Sequence, residues 1–299
     1  MSPHVARGRC FPRSAAAVNW AKAACSLGAL ACGSLTDPVS QVHEYAACPA
    51  ALFCDDFESF EAGKLPSGAW SPFQLNGTVR VDDSRAYRSA LSVKATTLAT
   101  SEAYKVAVIG LIGAPVVPVP DEAFYGRMMF YLESAPSTLV HWTFIAASGV
   151  VPGRAYSAEY RYGGELLVEG GEAGGSLLKA GYDTTDFYQT PPVGPHTDCH
   201  KDGASAVLPV GRWACAEWFF DGPNAQMRFW LDGAELAEIG VDGTGAGCDA
   251  QDAGYTWVAP AFSNISVGWK SYQVDDERSI WIDDVVIGSS KVGCPSPAL

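Results

Sequence analysis

From Ala51 onward the chain repeats one pattern: a short run of strand-forming residues, then a turn. The runs are Leu52–Glu58, Val79–Val81, Leu91–Lys94, Tyr104–Ile109, Phe124–Leu132, His141–Ala147, Ser157–Tyr162, Leu177–Tyr182, Trp213–Phe220, Met227–Leu231, Asn264–Gly268 and Trp281–Ile287. β-Branched and aromatic residues fill them, and no stretch sustains a helical period. The 31 glycines and 19 prolines supply the turns between them. Many short strands without an internal repeat predict one all-β antiparallel sandwich and exclude a helix bundle. The connection Asp183–Pro209 is expected to be a long loop, either functional or tied down, with Cys199 as the tie.

The N-terminal segment follows a different pattern. Met1 to Cys32 carries Arg7, Arg9, Arg13 and Lys22, no acidic residue, and an apolar run closing on Ala29-Leu30-Ala31. This reads as an export signal over 1–32, with a linker over 33–47 and the folded domain over 48–299. Cys32 also resembles the lipid-bearing first residue of a bacterial lipoprotein, although Leu30 sits one place too late. The expected destination is therefore secretion or an outer surface with a lipid anchor. No later stretch is apolar for long enough to be a transmembrane helix. The chain's net charge is −13; without the segment, 16 basic residues face 33 acidic ones, a net of −17. That excludes nucleic acid or an anionic membrane as the main partner. A monomer is expected.

Six cysteines follow the segment: Cys48, Cys54, Cys199, Cys215, Cys248 and Cys294. An even number in an exported chain predicts three disulfides. Cys48 with Cys54 and Cys199 with Cys215 are close enough in sequence to pair. A zinc site at His196, Cys199 and His200 lacks a second C-x-x-C and is the weaker reading.

Three segments together carry a family resemblance. They are Asp55-Asp56-Phe57-Glu58; Trp213-Ala214-Cys215-Ala216-Glu217-Trp218 followed by Arg228-Phe229-Trp230-Leu231-Asp232-Gly233; and Trp281-Ile282-Asp283-Asp284-Val285-Val286-Ile287-Gly288. This succession resembles the fungal cellulose-induced secreted protein family and its bacterial relatives. The resemblance implies a concanavalin A-like jelly-roll β-sandwich of two antiparallel sheets, similar to glucuronan and alginate lyases, with a bound calcium ion. It places that calcium at Glu58, Asp283 and a backbone carbonyl near Ser89. Asp56 and Asp284 are substitutes, because period-two alternation does not fix which carboxylate faces inward.

A polysaccharide is the expected partner, and a lyase cleaving uronate glycans by β-elimination is the expected activity. That reaction needs a cation to neutralise the uronate carboxylate, a base for the C5 proton and an acid for the leaving O4. Arg161 suits the first role, having a permanent charge and a bidentate fork. His141 and Tyr272 are the candidate base and acid; an unperturbed imidazole near 6.5 is largely neutral at pH 7. Arg127, Tyr160, Lys179, Tyr182, Gln189, Trp269 and Gln273 are candidate substrate-binding residues. A polyuronate requires Arg127, Arg161 and Lys179 to converge in one groove, against the overall negative charge. The alternative is a non-catalytic carbohydrate-binding or adhesion module, with exposed Trp142, Trp257 and Trp269 as a stacking surface. A hydrolase has less support: no E-x-D-x-x-E occurs, and Glu159 and Glu165 are loosely spaced.

Overall fold

The computed structural model describes residues 51–113, 116–168, 175–185, 191, 193–243, 248 and 256–295. The expected export signal and linker, Cys48 and Gln189 lie outside the described residues. Fifteen strands are named in chain order. They are β1 (Ala51–Asp55), β2 (Trp70–Leu75), β3 (Gly77–Asp82), β4 (Ser92–Thr97), β5 (Lys105–Ile112), β6 (Ala123–Leu132), β7 (Trp142–Val150) and β8 (Ser157–Leu167). Then follow β9 (Ser176–Thr184), β10 (Cys199–Val207), β11 (Trp213–Asp221), β12 (Gln226–Leu231), β13 (Ala234–Glu235), β14 (Asn264–Ser271) and β15 (Arg278–Gly288).

They form two antiparallel sheets. One runs β13-β12-β11-β6-β15-β4-β3, with β1 also on β15; the other runs β10-β9-β8-β7-β14-β5-β2. This is the expected jelly-roll sandwich, and the first and last strands are neighbours, from Asp55↔Val285 to Ala51↔Gly288. The core between the sheets is aromatic. Phe130 meets Phe144 at 5.6 Å, and Tyr162 meets Phe229 at 4.8 Å, each pair joining one sheet to the other. Such pairs add to the burial of their large apolar areas.

Three strands were not foreseen: β2, β10 and β13. β2 contains Pro72, which removes a ladder donor; an edge position tolerates it, and β2 is the edge of its sheet. β10 lies inside the expected long loop. It is polar because it forms the opposite edge and buries only part of one face. Cys199 does tie this region, but its partner is Cys248, and Cys215 pairs with Cys294. The Cys199–Cys215 pairing is therefore corrected: the two residues lie in different sheets. With its sulfur in a disulfide, Cys199 is also no zinc ligand. Cys54 is disulfide-bonded as well.

Candidate active site

Period-two alternation builds the site. On β8, Ala158, Tyr160 and Tyr162 enter the core, so Glu159 and Arg161 face away from it. β9 pairs Glu159 with Asp183, Arg161 with Gly181 and Gly163 with Lys179, so these side chains share the outer face. Gly181 matters for space: a Cβ there would lie 2.8 Å from Arg161 Nε. Its absence lets the guanidinium lie across β9 toward Asp183.

Two irregularities bring the remaining groups to the same place. The β7–β8 register shifts between Thr143 and Ile145, and the β7–β14 register shifts between Val267 and Lys270. Bulges of this kind re-aim side chains beside active sites. Phe144 and Ile145 both enter the core, while His141 and Thr143 reach the outer face with Lys270 and Tyr272. The turn after β14 is clamped from below. Asp275 takes two hydrogen bonds from Arg278, at 3.0 and 2.8 Å, and its carbonyl accepts from buried Lys105. This fixes Tyr272 and Gln273, whose contacts with His141 run both ways. Tyr272 N–H donates to the His141 carbonyl at 2.9 Å, and His141 N–H donates to Gln273 Oε1 at 2.5 Å.

The result is a cleft of about 550 Å³ lined by Tyr104, His141, Glu159, Arg161, Asp183, Thr185, His196, Thr197, Asp198, Lys270, Tyr272 and Gln273. Its size suits a small ligand or one stretch of a polymer. Arg161 lies at its floor, 4% exposed. One nitrogen donates to Asp183 at 3.1 Å and another lies 3.4 Å from His141 Nε2. The guanidinium also sits 5.4 Å from the Tyr272 ring centre. The His141 and Tyr272 rings are 5.2 Å apart, Tyr272 stacks on Tyr104 at 5.7 Å, and its hydroxyl donates to Thr143 at 3.2 Å. Lys270 is paired with Glu159 at 2.7 Å.

Electrostatics follow from burial and these pairs. Burial, then the Arg161 and Lys179 cations, push His141 down to about 2. His141 is thus held neutral, as expected of it, and its surroundings lower its basicity. Burial pushes Asp183 up to about 6, although Arg161 opposes this. For Arg161 and Lys270 burial disfavours the charge, but Tyr272 with Asp183 for Arg161, and Glu159 with Tyr272 for Lys270, outweigh it, so both are raised. His200, 3.8 Å from Asp198, holds that carboxylate below its ordinary range, and Asp198 in turn raises His200.

The structure brings His141, Arg161, Tyr272 and Gln273 together, with Lys179 on the same sheet face and bound to Glu165 at 2.8 Å. It separates the others. Tyr160, Tyr182 and Trp269 are core residues, pointing to the face opposite the cleft. Trp269 stacks on Trp142 at 4.7 Å, and Trp257 is equally buried, so the expected stacking surface of exposed tryptophans is not there. Arg127 lies on β6 in the other sheet, donating to the Asp284 carbonyl at 3.3 Å, so it does not join the groove. Lys270, Asp183, Asp198 and Tyr104 were missed. For Lys270 a signal existed: Ile265, Val267 and Trp269 form one apolar face of β14, which sets Lys270 on the other.

The residues expected to hold calcium lie on and beside β15 of the other sheet, and none of them lines the cleft. Asp283 is fully buried on β15 and accepts the N–H groups of Tyr87 and Asp284, both at 2.8 Å. A register shift between Asp283 and Val286 accompanies Asp284 at φ 48°, so two consecutive acids are buried. Burial pushes Asp283 up to about 7, and the charges of Asp284 and Glu58 push the same way. Glu58 lies in the turn after β1, not on the strand, and accepts from Ala90 and Leu91 at 3.1 and 2.6 Å. Ser89 is exposed in the loop that these two acids clasp. Among the described residues, no three His, Cys, Asp or Glu side chains converge as a metal cage. The donor chemistry nevertheless fits a hard cation: oxygen ligands only, and a buried carboxylate with like charges for neighbours.

Comparison with known proteins follows from this geometry. Residues 189–290 match the family model described as polysaccharide lyase-like, the Cip1-like core domain. The chain resembles the family expected from its sequence. Among solved structures it is similar to the cellulose-induced protein Cip1, with 23% identity and a TM-score of 0.53 over 81% of this chain and 100% of that one. It is also similar to the endo-β-1,4-glucuronan lyase of the fungus Trichoderma reesei, with 11% identity and a TM-score of 0.47 over 80% and 96%. For alginate lyase Aly36B the figures are 12% and 0.44 over 81% and 98%. The first likeness establishes the fold; the other two are too loose to carry an argument. No curated protein sequence matches. The matched span contains Asp198, Lys270, Tyr272 and Gln273 but not His141 or Arg161.

Proposed function

We propose that the protein is an exported polysaccharide lyase that cleaves a uronate-containing glycan by β-elimination. The observation that carries this reading is the convergence of Arg161, His141, Tyr272 and Gln273 in one cleft on the outer face of a jelly-roll sheet. Gln273 is exposed and has its amide N–H groups free of the His141 contact, so they meet the substrate carboxylate; the Arg161 charge lies behind it. Neutralising that carboxylate acidifies the C5 proton. His141, with its low basicity, holds geometry rather than the proton. Tyr272 is the proton carrier: once its phenolic proton has passed to solvent, its oxygen takes the C5 proton, the C4–O4 bond breaks as the C4–C5 double bond forms, and the phenol passes that proton to O4. Arg161 and Lys270 lie beside the ring, where they stabilise negative charge on the oxygen in the transition state.

Calcium belongs to the same proposal as a structural ion: Glu58, Asp283 and the Ser89 carbonyl would hold it, and it supplies charge compensation there, with no part in the elimination. Export rests on the N-terminal pattern and on disulfides that persist in oxidising compartments.

The test is absorbance near 235 nm, where unsaturated uronate products absorb, over a panel of uronate glycans. Tyr272→Phe keeps the ring stack and loses only the hydroxyl. It should lower kcat by about 10²–10⁴-fold with Tm near that of the parent. Product formation unchanged by this substitution would remove Tyr272 from the mechanism, and no product from any glycan would remove the lyase reading.

A further inference from the structure

The cleft is not a polyanion groove, and this bears on which glycan it takes. Each cation in or beside it has its own carboxylate: Arg161 with Asp183, Lys270 with Glu159, and Lys179 with Glu165. Asp198 adds a further negative charge on the lining, facing His200 at 3.8 Å. His200 in turn lies 3.4 Å from Asp202, so the β10 rim is acidic on both sides of that imidazole. Arg127, the one further cation a polyuronate groove called for, is in the other sheet.

The positions of these charges matter as much as their sum. Arg161 on β8 and Lys270 on β14 are two strands apart, about 10 Å at the usual spacing of hydrogen-bonded strands. Gln273 and Tyr272 mark one point between carboxylate donors and proton carrier. Around that point the rest of the lining includes an aromatic face, Tyr104 at 44% exposure, the hydroxyls of Thr185 and Thr197, and the carboxylate of Asp198. A second uronate placed beside the first would meet Asp198, with no unpaired Lys or Arg among the described lining residues to offset it. Like charges in a partly desolvated cleft repel more strongly than in water. A neutral sugar in the same place meets an aromatic face and hydroxyls, which suit its CH and OH groups.

Resting on the lyase reading, we propose that the substrate class is a heteropolysaccharide in which isolated uronic acid residues are flanked by neutral sugars, and that homopolymeric uronates are discriminated against. The cleft has one place for a carboxylate, and its neighbours are built for uncharged sugars.

Binding and turnover test the two readings separately. Affinities are measured by calorimetry for three oligosaccharides of equal length: one uronate among neutral sugars, uronate throughout, and neutral throughout. Absorbance near 235 nm is followed on the same samples. The singly charged oligosaccharide should bind at least about tenfold more tightly than either of the others, a difference of about 1.4 kcal/mol. Added salt should narrow its lead over the all-uronate chain by screening the repulsion. Asp198→Asn should narrow that lead too, by several-fold, through tighter binding of the all-uronate chain. Equal or tighter binding of the all-uronate chain, equal binding of the neutral one, or binding of none of the three overturns the inference. The expected binding order without any absorbance change would keep the inference as a statement about the cleft and overturn the lyase reading alone.

Discussion

Two regions of this molecule bury ionised groups, and they do so in opposite ways. In the cleft, Arg161 faces Asp183 and Lys270 faces Glu159, each at about hydrogen-bond distance. On β15, Asp283 is more deeply buried than any of these acids, yet the charges around it, Asp284 and Glu58, are of its own sign. Backbone N–H groups satisfy its oxygens but do not cancel its charge. A buried charge with an opposite partner is self-sufficient; one among like charges is stable only when protonated or when a cation arrives. The cleft therefore keeps its geometry without help, while the β15 region depends on what the solution contains.

Breaking a pair in the cleft should have the largest effect. Arg161→Ala leaves Asp183 buried without its cation and should destabilise the fold by about 3–5 kcal/mol in denaturant titration. Arg161→Ala with Asp183→Asn removes both charges and should recover a good part of that loss, without recovering turnover. A single substitution that leaves the denaturation midpoint unmoved would mean the pair is not formed.

The β15 region should respond to an ion instead. Calcium at about a hundredfold over its Kd should raise stability by about 2.7 kcal/mol through mass action, and a chelator should remove the gain. Asp283→Asn should abolish the calcium dependence while making the metal-free protein no less stable, since the buried charge is gone. Melting curves that superimpose with calcium and with chelator would show that no ion binds there.

The contrast also explains what could be read in advance. The sandwich was legible because its strands carry their period in the sequence; β6, β11 and β15 are unmistakable runs of aromatic and branched residues. Edge strands β2 and β10 were not, because an edge buries less and tolerates Pro72 or a polar run. His141, Arg161 and Tyr272 were found by chemical type, and the structure places them side by side. Tyr160, Tyr182, Trp269 and Arg127 were chosen the same way and lie elsewhere, because residue type does not say which face of a strand a side chain takes. A single bulge shifts that face, as at Phe144 and Ile145. Pairings between strands, such as Arg161 with Asp183 and Cys215 with Cys294, depend on register and strand order, which no local pattern states.

The smallest effect concerns a cleft imidazole that burial keeps neutral. His141 titrates at about 2 in the fold and near 6.5 in an unfolded chain. Between these values the unfolded chain binds more protons, so the contribution of His141 is fully present above about pH 6.5 and is lost as pH falls toward 2. Asp183 works in the opposite direction: pushed up to about 6, it favours the fold as pH falls from there toward 3.8. A bare stability profile mixes the two. Comparison with His141→Gln separates them, since the amide keeps an acceptor for Arg161 and does not titrate, and the shift of Asp183 arises from burial, Arg161, Glu159 and Asp198 rather than from His141. The stability of the parent relative to this variant should fall by about 2 kcal/mol between pH 6.5 and 4.5, read as the difference between their denaturation free energies. Two profiles that stay parallel over that interval would show that His141 takes up a proton in the fold as readily as in the unfolded chain, and the cleft would then hold an ordinary imidazole that could serve as the base after all.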